Sequence, residues 1–383
     1  MREKDVRKAL LSTPVPAELD AQRRAWPVVQ AAFAEREPVS WPRRHARPIV
    51  AFAVVLALLA ATLSPPGRAF VREVREVIGV KDAQEALFAL PDGGRLLVVS
   101  DEGAWVVRSD GSRRLLGPYR EASWSPTGKY VVGTGRNLLV ALEPDGGTRW
   151  KLARRNVRLP RWGGTEVDTR IAYLSGRQLR VIAGDGTGDR RLARRVDAVA
   201  PAWRPGSAHV LAFVGVGGRL VVAEADSGRR LWSRRLGTIE KLEWSSDGRR
   251  LLVQARRFLR VFSPGGQLRY DLLGRGAAPI ADASFGPEGR SVAFVQRAAG
   301  RSDLWVIARL RPDASAARRV FVGKGVFTDV SWSPDGKWVL IGWEDANQWV
   351  FLPNARVRNV QAVNSVSEQF GRGFPSPVGW CCP

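Results

Sequence analysis

The stretch Trp332-Ser333-Pro334-Asp335-Gly336-Lys337, followed directly by Trp338-Val339-Leu340-Ile341, decides the fold of this chain. Proline fixes φ early in a turn and glycine accepts a positive φ, so Ser-Pro-Asp-Gly is typical of a tight turn. The apolar run after it suits a strand that is buried on both faces. The stretch therefore predicts a strand ending at an aromatic anchor, a turn, and a second, buried strand.

This unit recurs along most of the chain. Its aromatic anchors are Trp124, Trp162, Trp203, Trp244, Phe285 and Trp332, and a weaker copy without an aromatic anchor runs from Ala89 to Gly93. A fixed spacing of about 40 residues is the signature of β-propeller blades. The sequence predicts an all-β, seven-bladed β-propeller over residues 85–383, with six or eight blades as alternatives. The anchors are interpreted as structural.

The two ends of the repeat region suggest how the ring closes. Phe374 to Trp380 resembles the strand that leads into an anchor. We expect this segment to join the first blade, which would leave the ring without an open edge.

The last strand of several units opens with paired arginines. These pairs are Arg113-Arg114, Arg190-Arg191, Arg229-Arg230 and Arg318-Arg319. Charged side chains on an exposed edge strand discourage pairing with another chain. The pattern favours an edge-blocking role, with a binding role as the alternative.

The units resemble the repeats of the TolB-like and WD-repeat-like propeller families. The Trp-Ser-Pro-Asp-Gly-Lys motif is complete at Trp332 to Lys337, and Trp124 to Lys129 matches it with Thr127 in place of aspartate. The Gly-His pair and the Trp-Asp strand ending of eukaryotic WD repeats are absent, so the TolB-like branch of bacterial propellers is the closer match. The resemblance implies the fold and leaves the function open, because propellers serve many roles.

The N-terminal part differs from the repeats. Residues 1–47 are predicted to form a helical, basic segment. Residues 48–64 carry no charge and predict one transmembrane helix, although the run is slightly shorter than the ~20 residues usually needed. A buried core helix and a secretory signal region are the alternatives. Residues 65–84 predict a short amphipathic helix beside the membrane.

Charges flanking the apolar run predict its orientation. Arg43, Arg44 and Arg47 precede it, and only Arg68 follows closely. The positive-inside rule places the N-terminus in the cytoplasm and the propeller on the extracytoplasmic side of a single-pass cell-membrane protein.

The formal net charge of +23 favours anionic partners. Arginine greatly outnumbers lysine, however, and the charges are distributed around the repeats, which indicates a general arginine bias. We therefore expect a protein or an anionic cell-envelope polymer as the partner, and no specific nucleic-acid binding.

No catalytic, cofactor or metal motif is found, so the chain is predicted not to be an enzyme. Its two histidines, His45 and His209, lie in different regions, and its two cysteines are the adjacent Cys381 and Cys382, which rarely bridge each other. The turn aspartates Asp92, Asp247 and Asp335 are interpreted as turn formers rather than metal ligands. Trp338, Trp343 and Trp349 crowd the last blade and form a candidate contact surface.

Three hypotheses follow from these observations. The first is a membrane-anchored, non-enzymatic binding or scaffold protein facing the extracytoplasmic side. The second is a transmembrane signalling component that docks a cytoplasmic regulator through Trp26, Val29 and Phe33. The third is an enzyme with an active site in the propeller channel.

Overall fold

The structure is a computed structural model that describes residues 89–206, 208–273, 278–311, 317–354, 359–371 and 373–382. The predicted cytoplasmic segment 1–47, transmembrane helix 48–64 and juxtamembrane helix 65–84 lie outside these residues. Among the residues described, no helix has the length and apolar character needed to cross a membrane.

The described residues form seven four-stranded antiparallel sheets, and each sheet is one propeller blade. Blade 1 contains β1 (Arg95–Ser100), β2 (Gly103–Arg108), β3 (Arg113–Gly117) and the C-terminal β28 (Ser376–Cys381). Blade 2 contains β4 (Glu121–Trp124), β5 (Val131–Gly135), β6 (Leu138–Leu142) and β7 (Thr148–Ala153). Blade 3 contains β8 (Val157–Gly164), β9 (Thr169–Ser175), β10 (Gln178–Ala183) and β11 (Arg190–Ala193).

Blades 4 to 7 repeat this order. Blade 4 contains β12 (Ala202–Trp203), β13 (Val210–Gly215), β14 (Arg219–Glu224) and β15 (Arg230–Arg235). Blade 5 contains β16 (Lys241–Trp244), β17 (Leu251–Ala255), β18 (Phe258–Phe262) and β19 (Leu268–Leu273). Blade 6 contains β20 (Ile280–Phe285), β21 (Val292–Ala298), β22 (Arg301–Ile307) and β23 (Ala317–Lys324). Blade 7 contains β24 (Phe327–Trp332), β25 (Trp338–Trp343), β26 (Gln348–Pro353) and β27 (Gln361–Asn364).

The C-terminal strand closes the ring as predicted. β28 pairs antiparallel with β1, with Trp380 opposite Leu96, and becomes the innermost strand of blade 1. The seven innermost strands contact one another in sequence, and β28 contacts both β24 of blade 7 and β4 of blade 2. The prediction of seven blades and of C-terminal closure is confirmed.

The turn after the anchor forms as its residues predict in blades 5 and 7. In blade 7 the Gly336 N–H donates to the Ser333 carbonyl at 2.9 Å, and Gly336 has φ +72°. The Asp335 carboxylate accepts the Ser333 hydroxyl at 2.7 Å and the Lys337 N–H at 2.9 Å. Asp247 accepts the Ser245 hydroxyl and the Arg249 N–H in the same way in blade 5. These bonds support the interpretation of both aspartates as turn formers.

The core lies between adjacent blades. The second strands are almost wholly buried, as in β13, where every residue is buried. Val295 of blade 6 packs with Ile341 of blade 7, and both are 0% exposed. Burying one such aliphatic side chain stabilises the fold by about 1.5–3 kcal/mol, so the blade-to-blade contacts hold the ring together.

Two short helices lie near the closure. A 3₁₀-helix spans Glu344–Ala346, and the helix α1 spans Val366–Phe370. The buried Phe370 ring contacts Trp105 of blade 1 and Trp349 of blade 7, with centroid distances of 5.6 Å and 5.1 Å. α1 therefore packs across the interface between the first and last blades.

Candidate functional site

Seven charged side chains stand on the innermost strands, or directly at bulges in them. Arg158 donates to the Gly176 carbonyl of its own blade. We call the other six the inner-ring cluster: Glu121, Arg161, Lys241, Glu243, Asp282 and Asp329. They belong to blades 2, 3, 5, 6 and 7. They were not predicted from sequence, although four of them, Glu121, Lys241, Asp282 and Asp329, lie three residues before an aromatic anchor.

The acids of the inner-ring cluster join neighbouring blades. Glu121 of blade 2 accepts the backbone N–H of Leu159 in blade 3. Glu243 of blade 5 accepts the N–H of Phe285 in blade 6 at 3.0 Å. Asp282 of blade 6 accepts the N–H of Val330 in blade 7 at 2.7 Å. Each carboxylate satisfies a donor on the next inner strand, which gives these acids a structural role.

Two of the N–H groups that these carboxylates accept lie at bulges in the backbone. The pairing register of β8 shifts between Arg158 and Arg161, and Leu159 has φ +53°. The register of β24 shifts between Thr328 and Val330, and Asp329 has φ +44°. Such bulges turn a backbone N–H away from its own sheet. The carboxylate of the preceding blade then serves as its acceptor.

Burial and neighbouring charges shift the ionisation of the cluster. Burial opposes the charge of Lys241, but the nearby Asp282 and Glu243 carboxylates outweigh it, so the pKa of Lys241 is raised. Burial raises the pKa of Glu243. Burial, with the charge of Asp282, raises the pKa of Asp329. Lys241 forms an ion pair with Asp282 at 2.7 Å, so cation and anion balance locally.

The aromatic anchors also join blades. The indole N–H of Trp203 donates to the Arg161 carbonyl at 2.9 Å, and that of Trp332 donates to the Ser284 carbonyl at 3.3 Å. Trp124 donates to the Gly379 carbonyl at 3.1 Å. In each case the acceptor immediately precedes the anchor position of the previous blade. Phe285 has no such donor, and the buried indole nitrogens of Trp162 and Trp244 have no hydrogen-bond partner within the described residues.

A cleft of about 550 Å³ lies between blades 2 and 3. Its lining includes Tyr130 of blade 2, which stacks on Trp162 of blade 3 with centroids 5.8 Å apart. Arg149, Glu143 and Trp150 also line it.

The candidate contact tryptophans of blade 7 are mainly buried. Trp343 and Trp349 are each 3% exposed. Their indole N–H groups donate to the carbonyls of Lys324 and Pro375. Trp338 is half-buried and packs on the cluster between blades 7 and 1. Of the three, only Trp338 has surface to offer a partner, and the contact role remains a prediction.

The paired arginines stand on outermost strands, where an edge-blocking role requires them. Arg113-Arg114 open β3, Arg190-Arg191 open β11, and Arg318-Arg319 lie in β23. Arg230 opens β15, and Arg229 directly precedes it. All four strands are the last in their sheets.

One face of the propeller carries a strongly patterned charge. We call it the loop face: it bears the hairpins between second and third strands and the connections from one blade to the next. Exposed arginines occupy or directly follow these hairpins in blades 2 to 6. The one in blade 6, Arg301, is paired with Asp303. We call those of blades 2 to 5 the basic arc: Arg136, Arg177, Arg219, Arg256 and Arg257. None of them forms an ion pair within the described residues.

The same hairpins carry the opposite charge in the blades that close the ring. Blade 1 has Asp101 and Glu102, and blade 7 has Glu344 and Asp345, all exposed. We call these four residues the acidic arc. The loop face is therefore positive over blades 2 to 5 and negative over blades 7 and 1.

The two cysteines are joined in the structure. Contrary to expectation for adjacent cysteines, Cys381 and Cys382 form a disulfide at the end of the closing strand. Both sulfur atoms lie beside the turn glycine Gly128 of blade 2. Among the described residues, no group of three or more His, Cys, Asp or Glu side chains is arranged to hold a metal ion.

Comparison with solved structures agrees with the fold. The β-propeller domain of Cps50 (Swd1) from Myceliophteria thermophila has a TM-score of 0.54 and 15% identity, covering 69% of this chain and 98% of that one. A Bacteroides uniformis protein named as a candidate 6-phosphogluconolactonase has a TM-score of 0.52 and 13% identity, covering 72% of this chain and 96% of that one.

Comparison by sequence adds no family. No family model matches this chain. No curated protein matches it either. The TolB-like resemblance therefore remains a prediction, and the likeness to solved structures concerns the fold alone. The described part of this chain is a seven-bladed β-propeller.

Proposed function

We propose that this chain is a non-enzymatic binding protein, tethered to the cell membrane by residues 48–64, whose propeller engages a partner on the extracytoplasmic side. The observation that carries the proposal is the bonding of the inner ring. Glu121, Glu243 and Asp282 each accept a backbone N–H of the next blade, and Lys241 is paired with Asp282. The charged groups nearest the propeller axis thus hold the blades together, and the exposed faces are left to contact partners.

The tether is supported by the sequence pattern. Residues 48–64 are uncharged, and arginines precede them more densely than they follow. A long domain can be translocated despite a large positive charge, because the positive-inside rule applies to residues near the membrane. The net charge of +23 is therefore compatible with an extracytoplasmic propeller.

Thiol labelling in intact cells tests the topology. Cys381 and Cys382 are the only cysteines, and they lie at the end of the propeller. Cells are treated with a membrane-impermeant reductant and then an impermeant maleimide, with a denatured lysate as the control for burial. We expect labelling in intact cells. Labelling only after lysis without denaturant would place the propeller in the cytoplasm and overturn the proposal.

A second candidate function is transmembrane signalling. It is favoured by the length of the segment before the apolar run and by Trp26, Val29 and Phe33, which fall on one side of its predicted helix. Deleting residues 1–40 should then abolish binding of a cytoplasmic partner in a cross-linking experiment. Unchanged partners in the deletion variant would reject this function and leave the binding role of the propeller standing.

A further inference from the structure

The loop face has one equivalent position in every blade, the hairpin between the second and third strands. Because the position is equivalent, differences between blades are differences of sequence and not of fold. Exposed arginine occupies or directly follows it in blades 2 to 6, and acids occupy it in blades 7 and 1. In blade 6 the hairpin is Ala299-Gly300, and Arg301 is paired with Asp303 at 3.2 Å. The positive charge therefore covers a continuous arc rather than the whole ring.

Further arginines extend the basic arc across the connections between blades. Arg155 follows blade 2, and Arg194 and Arg195 follow blade 3, all exposed. The nearby acids on this part of the face are fewer. Asp197 accepts the Gly218 N–H at 3.0 Å, and Glu240 is exposed. The arc thus keeps a large excess of positive charge that the described residues do not neutralise.

We infer that the basic arc binds an extended, phosphate-bearing anionic polymer of the cell envelope, laid across the loop face of blades 2 to 5. This inference rests on the proposed extracytoplasmic location. Packed sheets lie ~10 Å apart, so hairpins on four consecutive blades extend over roughly 30 Å. A single small anion cannot contact that length, whereas a linear polymer can.

The side-chain chemistry suits a phosphate polymer. The planar guanidinium of each arginine in the basic arc can donate two parallel hydrogen bonds to one phosphate group, as it can to a carboxylate. The acidic arc repels the same polymer over blades 7 and 1, which confines it to one part of the face. The path of the polymer is therefore set by the sign of charge at equivalent hairpins.

The composition of the face disfavours a protein partner. Protein interfaces centre on buried aromatic or aliphatic anchors surrounded by a polar rim. Of the exposed large hydrophobic side chains in the described residues, Val216 is the one that lies in a hairpin or connection of the loop face. An arginine-rich surface with so little apolar area suits a charged polymer.

Binding of labelled poly(glycerol phosphate) to the purified full chain in detergent tests the inference. The arc variant carries Arg136→Ser, Arg177→Ser, Arg219→Ser and Arg257→Ser. The matched control carries Arg114→Ser, Arg191→Ser, Arg230→Ser and Arg269→Ser, four exposed arginines of outermost strands, so both variants lose the same charge. Thermal unfolding checks that both variants are folded.

We expect the arc variant to lose about tenfold or more in affinity for the polymer. The slope of log K against log salt concentration should become shallower by about three, because each of the four lost phosphate contacts contributes roughly 0.7 to that slope. The control should stay within about twofold of the native chain. Equal losses in both variants would reveal a general charge effect and overturn the inference. An unchanged arc variant would also overturn it.

Two further probes define the partner class. Tighter binding of poly-L-glutamate would overturn the preference for phosphate, and tighter binding of single-stranded DNA would make nucleic acid the partner instead. Absence of polymer binding by a chain whose cysteines are labelled in intact cells would refute this inference alone. Labelling that places the propeller in the cytoplasm would refute the proposed function as well.

Discussion

Replacing Asp282 should weaken the junction between blades 5, 6 and 7, because its carboxylate makes two contacts with two different blades. It accepts a hydrogen bond from the Lys241 ammonium of blade 5 at 2.7 Å and another from the Val330 N–H of blade 7 at 2.7 Å. Asp282→Ala removes both contacts and leaves the Lys241 charge unpaired. Asp282→Asn removes the charge and keeps an oxygen that can accept the Val330 N–H.

The magnitude follows from these contacts and from their exposure. A hydrogen bond to a charged group contributes about 1.5–3 kcal/mol. The side chains of Lys241 and Asp282 are 34% and 19% exposed, so water offsets part of the loss. We expect Asp282→Ala to lower the free energy of unfolding by about 3 kcal/mol, and Asp282→Asn by about half as much.

Urea unfolding followed by tryptophan fluorescence measures these changes, and a double-mutant cycle isolates the ion pair. Lys241→Met removes the cation, so the double variant Lys241→Met/Asp282→Ala no longer carries an unpaired charge. Its loss of stability should be smaller than the sum of the single losses by about 1–2 kcal/mol. Losses that add within about 0.5 kcal/mol would refute the coupling of the two side chains.

Three other residues give shorter tests. Asp329→Asn should stabilise the protein at neutral pH, because burial and the charge of Asp282 raise the pKa of Asp329 and ionisation of this carboxyl therefore costs the native state free energy. The gain in stability should disappear as pH falls below 3.8, and a pH series of urea unfolding curves that shows no such change would contradict the prediction. The pKa of Asp335 is lowered by its bonds to Lys337 and Ser333 despite the opposing effect of burial. Its stabilisation is therefore complete above pH 3.8 and is lost progressively as pH falls below that value towards the lowered pKa, and Asp335→Asn should remove this part of the pH dependence in the same unfolding assay. Trp380→Ala should lower the free energy of unfolding by about 3–5 kcal/mol, because it opens a cavity at the ring closure, where Trp380 is 8% exposed and its indole N–H donates to the Gly93 carbonyl at 3.2 Å. The control Val378→Ala, on the same strand but 44% exposed, should lower it by well under about 1 kcal/mol in the same assay.

The features that were predictable from sequence are those that recur in every blade. The turn residues and the aromatic anchors repeat at a constant period, because each blade must turn and pack in the same way. The C-terminal segment was recognisable because Trp380 follows the same pattern as the other anchors. Local turn chemistry and periodicity together gave the blade count and the closure.

The inner-ring cluster was not predictable for the opposite reason. Glu121, Glu243 and Asp282 each serve one particular bulge or inner strand of the next blade, and these contacts join residues about 40 positions apart. Glu121 and Asp282 both lie three residues before an anchor, but that position holds leucine in blade 3 and lysine in blade 5, so it does not by itself mark an acceptor. The exposure of the blade 7 tryptophans was not predictable either, because crowding in sequence does not distinguish exposed rings from rings packed against Phe370 and Phe327.

The charge pattern of the loop face became visible only through the topology. In sequence, the arginines of the repeats look evenly distributed, because those of hairpins, outer strands and turns follow one another along every unit. The antiparallel order of each blade sends alternate connections to opposite faces, so hairpin arginines from four blades collect on one side. Arginines of the outermost strands collect at the perimeter instead. The same arginine-rich composition therefore supplies two surfaces with separate predicted tasks. One is the set of charged outer edges, which we predict to discourage strand pairing, and the other is a face on which the sign of charge changes from blade to blade. The matched variants of the basic arc and of the outer strands separate these tasks, because they remove equal charge from surfaces that only the folded topology makes different.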